Sequence, residues 1–178
     1  PTMGGVLLLG AVVVSTILWA RPTNSAVWLA IFTLVYLGAL GFIDDYLMQV
    51  KKQSKGLSVR GKLALQAVLG LLAGTLVCLV PTFSTEVTVP FFKTVSPELG
   101  WGYILFALPV IVGASNAVNL TDGLDGLAIG PVSIAAATYM IFAYVAGHVR
   151  IANYLQITYV PGCGELTVFC GAIDGAGL

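Results

Sequence analysis

Ala26-Val-Trp-Leu-Ala-Ile-Phe-Thr-Leu-Val-Tyr-Leu-Gly-Ala-Leu-Gly-Phe-Ile43 carries no charge and closes on Asp44-Asp45. An apolar run of this length approaches the roughly 20 residues that an α-helix needs to cross a bilayer. It does not alternate with period two, which argues against a strand of an outer-membrane barrel. Further runs of the same kind occupy Gly4 to Ala20, Leu63 to Pro81, Trp101 to Val118 and Leu127 to Gly147, and another begins at Leu166. The pattern predicts an all-α, polytopic membrane protein with five spans and the start of a sixth.

Composition agrees. The 178 residues are 58% hydrophobic and only 9% charged, against about 25% charged in ordinary soluble domains. Mean hydropathy is +0.96. A zero net charge with no basic tract outside one loop offers no nucleic-acid footprint. Cys78, Cys163 and Cys170 are too scattered for a disulfide framework or a zinc site. His148, alone beside Arg150, is expected to be a surface histidine.

Charge asymmetry orients the spans. Five of the eight basic residues, Lys51, Lys52, Lys55, Arg60 and Lys62, fall between Asp44 and Lys62, which places that segment on the cytoplasmic side. By alternation Arg21 to Ser25, Thr82 to Gly100 and His148 to Glu165 lie outside. Pro1-Thr2, Asp44-Asp45, Lys62 and Asn119 to Asp125 share the cytoplasmic face. Trp19, Trp101 and Tyr103 fall near span ends, where aromatic anchors belong. Thr-Val alternation and two prolines within Phe83 to Pro97 suit a short hairpin or an interfacial loop.

Two acidic clusters break the apolar background. Asp44-Asp45 and the pair Asp122 and Asp125 together hold half of the eight acidic residues. Adjacent carboxylates repel unless a cation sits beside them, and Mg²⁺ favours one or two carboxylates together with substrate phosphates. At a helix C-terminus such a pair also opposes the helix dipole, so a mere boundary marker is a poor explanation of Asp44-Asp45. Asn119-Leu-Thr-Asp-Gly-Leu-Asp-Gly126 offers Thr121 or Asp122 as a cap for the next helix, with glycines for close ligand approach. It lacks the alternating twelve-residue loop of an EF-hand. Thr2 adds a hydroxyl and Lys62 a cation able to neutralise a diphosphate. A cation-coupled transporter would carry its carboxylates near the midplane, whereas these fall at span ends.

Pro1-Thr2-Met3-Gly4-Gly5, Gly41-Phe42-Ile43-Asp44-Asp45-Tyr46 and the Asn116 to Ala128 segment, in that order, resemble the signature motifs of the phospho-N-acetylmuramoyl-pentapeptide transferases, a branch of the polyprenyl-phosphate N-acetylhexosamine-1-phosphate transferases. The resemblance runs along the whole chain. It implies a bacterial inner-membrane enzyme of about ten spans in which the chain is a single transferase domain cut at both ends. The implied reaction moves phospho-N-acetylmuramoyl-pentapeptide from its UDP carrier to undecaprenyl phosphate, giving lipid I and UMP for peptidoglycan synthesis. The implied catalytic residues are Asp44 and Asp45. Thr2, Lys62, Asn119, Asp122 and Asp125 would bind substrate, and Asp44, Asp45 and Asn119 are candidate ligands for Mg²⁺. A homodimer is left open. A sibling transferase acting on UDP-N-acetylglucosamine is the nearest alternative.

The chain departs from the pattern at Met48, where a basic residue is common, and at Asp174, where the family is apolar. A further essential aspartate and a His-rich loop of the family would follow Leu178. The stretch on its own is therefore expected to be inactive.

Overall fold

The computed structural model describes residues 4–49, 56–89, 95–121 and 127–177. Seven α-helices follow one another among these: α1 (Gly4–Trp19), α2 (Ser25–Gln49), α3 (Val59–Leu79), α4 (Tyr103–Thr121), α5 (Ile129–Ala146), α6 (Val149–Leu155) and α7 (Leu166–Gly177). Single 3₁₀ turns at Gly100–Gly102 and Cys163–Glu165 lead into α4 and α7. Four of the helices, α2 to α5, are long and apolar enough to cross a membrane, and α1 is a shorter apolar helix. The all-α membrane architecture stands.

Side-chain placement is that of a lipid-facing protein. Leu7, Leu18, Leu105, Ile134 and Phe142 are exposed, while the buried positions include Ala20, Ala73, Ala107, Ala136, Ala143 and Ala152. Water would penalise that arrangement. Lipid does not, because hydrocarbon tails are as apolar as leucine and helices associate through small residues that let backbones approach.

The chain divides into two compact units. One comprises the described residues between Thr33 and Val118; the other joins the described residues from Gly4 to Phe32 to those from Asn119 to Gly177. In the second of these, Ala20, Val27 and Ile31 form a buried cluster with Val13, Leu166 and Val168 packed on it. Asn24 ties two turns together there. Its Oδ1 accepts from the amides of Ala26 (2.9 Å) and Val27 (3.3 Å) at the start of α2, and its Nδ2 donates to the Gly162 carbonyl at 2.8 Å. Gly162 has φ +77°, and a Cβ there would press on Asn24 Nδ2 at 3.0 Å. Arg21 adds an exposed ion pair to Glu165 at 3.4 Å. The turn at 21–25 and the segment at 148–165 therefore meet at one end of this unit, as strict alternation of the spans requires.

In the unit of Thr33 to Val118, α3 and α4 run antiparallel in close contact. A Cβ on Gly70 would come within 3.0 Å of the Leu108 Cα, and one on Gly74 within 2.9 Å of the Ile104 Cα. Replacing Gly74 by Leu should therefore destabilise this unit by about 1–3 kcal/mol, since overpacking forces backbone shifts; loss of thermal midpoint in detergent measures it. Of the hairpin and loop readings for Phe83 to Pro97, the described residues on either side of 90–94 fit the hairpin. Amides of Val87, Val89 and Leu99 donate to the carbonyls of Pro97, Val95 and Thr85, around an antiparallel bridge between Glu86 and Glu98.

Three expectations need correction. Asp44-Asp45 do not end a helix, because α2 continues through Gln49; polar residues after Ile43 still satisfy their backbone groups by helical bonding, so loss of hydrophobicity does not stop the helix. The segment after His148 is not all loop, since α6 forms within it and closes on a left-handed Gln156, whose amide donates to Ala152 and Asn153. Thr121 caps no following helix: it is the last residue of α4. His148 is exposed before α6, with its ring 6.3 Å from that of Tyr144.

Candidate functional site

Position along α2 comes first. At 1.5 Å per residue, Asp44 lies roughly 29 Å along the helix from Ser25, close to the ~30 Å thickness of a bilayer core. The acidic pair therefore belongs at the edge of the hydrocarbon layer, where a headgroup or an aqueous substrate can reach it.

Asp44 is held from two sides. Its Oδ1 accepts the Leu57 amide at 2.8 Å, and its Oδ2 accepts the Lys62 ammonium at 3.2 Å. Both side chains are largely shielded, at 17% and 18% exposure. Leu57 stands just ahead of α3, whose N-terminus is capped by Ser58: the Ser58 Oγ accepts the Gly61 amide at 3.1 Å. The carboxylate thus sits over the positive end of α3, where unpaired amides and the helix dipole favour an anion. This offsets the unfavourable position of Asp44 near the C-terminus of α2.

Gly56 makes the approach feasible. Its φ of +53° is a conformation that costs an L-residue about 1–2 kcal/mol. Gly56→Ala should lower stability by about that amount and loosen the Leu57 contact, which faster amide exchange at Leu57 would report.

Asp45 differs from its neighbour. One residue on, it is turned about 100° around the helix and is exposed, as are Phe42 and Tyr46. The two carboxylates are therefore not interchangeable: Asp44 is bound into the protein, while Asp45 is open.

One turn beyond Lys62 on the same face of α3 lies Gln66, which is 2% exposed. Its Oε1 accepts Asn116 Nδ2 of α4 at 2.7 Å, and the same amide nitrogen reaches the Val112 carbonyl at 2.7 Å. Sequence reasoning passed over Gln66. The available signal was that Gln66 is the sole side-chain amide in the apolar run Leu63 to Pro81, and intramembrane polar groups are rarely idle. Asn116 was quoted within its motif but given no role.

Of the other candidates, Asn119 lies on the last turn of α4 with an exposed side chain. Thr2, Asp122 and Asp125 lie outside the described residues, as do Lys51, Lys52 and Lys55. Among the described residues no three His, Cys, Asp or Glu side chains gather closely enough to hold a metal ion. The exposed Asp45 carboxylate is a hard oxygen donor, whereas Asn119 belongs to the other compact unit.

Cys163 sits outside the long helices, and burial pushes its thiol above the usual cysteine range. The thiolate is the reactive form, so Cys163 should label with maleimide more slowly than a free thiol at pH 7.5 and catch up as pH rises.

Comparison with known proteins bears on this arrangement. The chain is 61% identical over 179 residues to the phospho-N-acetylmuramoyl-pentapeptide-transferase of Desulfatibacillum aliphaticivorans, covering 100% of this chain and 50% of that protein. It is 56% identical to the enzyme of that name from Desulforapulum autotrophicum and 57% identical to the one from Citrifermentans bemidjiense, again with 100% and 50% coverage. The chain spans about half the length of the curated relatives it matches. The family model described as glycosyl transferase family 4 matches residues 27–169. That match takes in most of the chain, including the acidic pair on α2 and the lysine that holds it, and the chain accordingly belongs to glycosyl transferase family 4.

Proposed function

We propose that the protein containing this chain transfers phospho-N-acetylmuramoyl-pentapeptide from its UDP carrier to undecaprenyl phosphate, releasing UMP. The single observation that carries the reading is the pairing of a clamped carboxylate, Asp44, with an open one, Asp45, at the end of a span. A reaction between a lipid phosphate and a water-soluble nucleotide sugar needs charged groups at that depth. The names of relatives at 53–61% identity support the choice of sugar.

In this reaction an oxygen of the lipid phosphate attacks the phosphorus that bears the sugar. The bond to the bridging oxygen breaks, and that oxygen leaves on UMP. Phosphoryl transfer depends chiefly on positioning and electrostatic stabilisation. Asp45 is available to receive a proton from the lipid phosphate or to orient it. Lys62 keeps Asp44 in place and brings positive charge to the rim where a diphosphate would lie. Asn119, Asp122, Asp125 and Thr2 are assigned to the nucleotide sugar by the motifs in which they stand. Mg²⁺, for which Asp44, Asp45 and Asn119 are the candidate ligands by motif, would neutralise diphosphate charge when bound. The site faces the cytoplasm of a bacterial inner membrane, in keeping with the basic segment between Asp44 and Lys62.

The test is UMP release by the full-length protein with undecaprenyl phosphate, supplied in turn with UDP-N-acetylmuramoyl-pentapeptide and UDP-N-acetylglucosamine, with and without Mg²⁺. Turnover confined to the first sugar and lost on chelation is expected. Turnover with the second sugar alone would move the protein to the sibling activity, and no UMP from either would reject the transferase reading.

A further inference from the structure

Gln66 has no place in the reaction just described, yet it is among the most completely buried side chains of the chain. Packing does not call for it. Gly70 and Gly74 already bring the α3 and α4 backbones together, and an apolar residue would fill the same space without giving up the solvation of an amide. A buried polar pair is instead directional, and its value lies in selecting one arrangement over near alternatives.

What it selects follows from α4. Pro109 lies inside that helix; lacking an N–H, it removes a helical hydrogen bond and weakens the link between the two halves. The half carrying Asn116 and Asn119 thus needs an anchor of its own. Asn116 provides it by donating to Gln66 at 2.7 Å. Gln66 stands on the α3 stripe of Lys62, Gly70 and Gly74, at intervals of four residues, and Lys62 is tied to Asp44 at 3.2 Å. A polar line therefore runs from α2 through α3 to α4 at one end of the unit of Thr33 to Val118. Asn119 follows Asn116 by three residues, close to one helical turn, so the rotation set at Asn116 is inherited by Asn119.

We propose that Gln66 is a positioning residue for the transferase site: through Asn116 it sets the rotation of the last turns of α4, and with it the presentation of Asn119 to the nucleotide sugar. The inference rests on the transferase reading above.

Two substitutions in the full-length enzyme separate this from a packing role. Gln66→Met keeps the size and removes the acceptor; Gln66→Glu keeps an acceptor facing Asn116. Expected for Gln66→Met is a KM for the UDP-sugar raised about tenfold, the loss of roughly one hydrogen bond to an uncharged partner, with kcat nearly unchanged. Gln66→Glu should restore KM to near the parent value. Amide exchange read by mass spectrometry should accelerate across residues 112–121 in Gln66→Met and stay at the parent rate across residues 103–108.

An unchanged KM in Gln66→Met, an equal rise in Gln66→Glu, or exchange that accelerates evenly along α4 would overturn the proposal. If Gln66→Met does not accumulate, Gln66→Ser, too short to reach Asn116, replaces it with the same expectations. If the parent enzyme forms no lipid-linked product from any UDP-sugar, the transferase reading fails. The exchange contrast then decides by itself whether Gln66 holds α4.

Discussion

Asp45→Asn in the full-length enzyme should lower kcat by roughly a hundred- to a thousandfold, the scale seen when a preorganised charge-stabilising group is removed, and leave the thermal midpoint where it was. The reason is exposure: Asp45 is open and its side chain has no hydrogen bond or ion pair among the described residues, so the loss falls on chemistry. Asp44→Asn should do something else. An asparagine oxygen can still accept the Leu57 amide at the position now occupied at 2.8 Å, but Lys62 loses its counter-charge in a largely shielded site. Breaking a buried ion pair costs about 3–5 kcal/mol, and exposed pairs are worth about 0–1 kcal/mol. With under a fifth of each side chain exposed, about 2 kcal/mol is the expected loss. Activity and midpoint should then fall together. Steady-state UMP release and thermal unfolding in the same detergent, run on both variants, check the contrast. Equal loss of stability in the two would refute the division between a clamped and an open carboxylate.

The second large effect is a gain. Among the described residues Asp174 Oδ1 is buried without a hydrogen-bond partner, on a helix whose neighbouring residues pack closely against α5: Gly171 lies against Met140, and Gly177 against Ile129 and Ser133. An unsatisfied buried polar group costs about 1–3 kcal/mol. Asp174→Val removes that group and adds apolar contact of similar volume, so it should stabilise the protein by about 2 kcal/mol. A higher midpoint for Asp174→Val than for the parent, with unchanged kcat, is the expected result. A lower midpoint would mean that the carboxylate has a partner the present chain does not supply. Asp174→Asn should give little of the gain, because an amide in the same place is as hard to satisfy.

Much of this was legible in the residue order. Apolar runs separated by short polar turns specify spanning helices almost without reference to the rest of the fold, because each span satisfies its own backbone hydrogen bonds. Alternation then assigns every loop to a side, and the meeting of Asn24 with Gly162 and of Asp44 with Lys62 is what that assignment demands. Helix ends were less legible. Hydropathy falls at Ile43 while the backbone of α2 remains helical to Gln49, since hydrophobicity reports where lipid stops and not where hydrogen bonding does.

The acidic pair shows where sequence and tertiary structure divide. That Asp44-Asp45 stands at a span end, and that such a pair calls for a cation, follows from the sequence alone, because charge at that depth is costly. Which cation it finds, and which of the two residues finds it, depends on the packing of α3 beside α2. Adjacent residues on a helix diverge by about 100°, so one faces the positive end of α3 and Lys62 while the other faces outward. The same holds for Gln66, an isolated amide in the sequence that acquires a purpose only through the antiparallel register of α3 and α4. Local pattern determined the spans and their polar ends; the close approach of one helix to another decided which polar groups are tied and which are left to act.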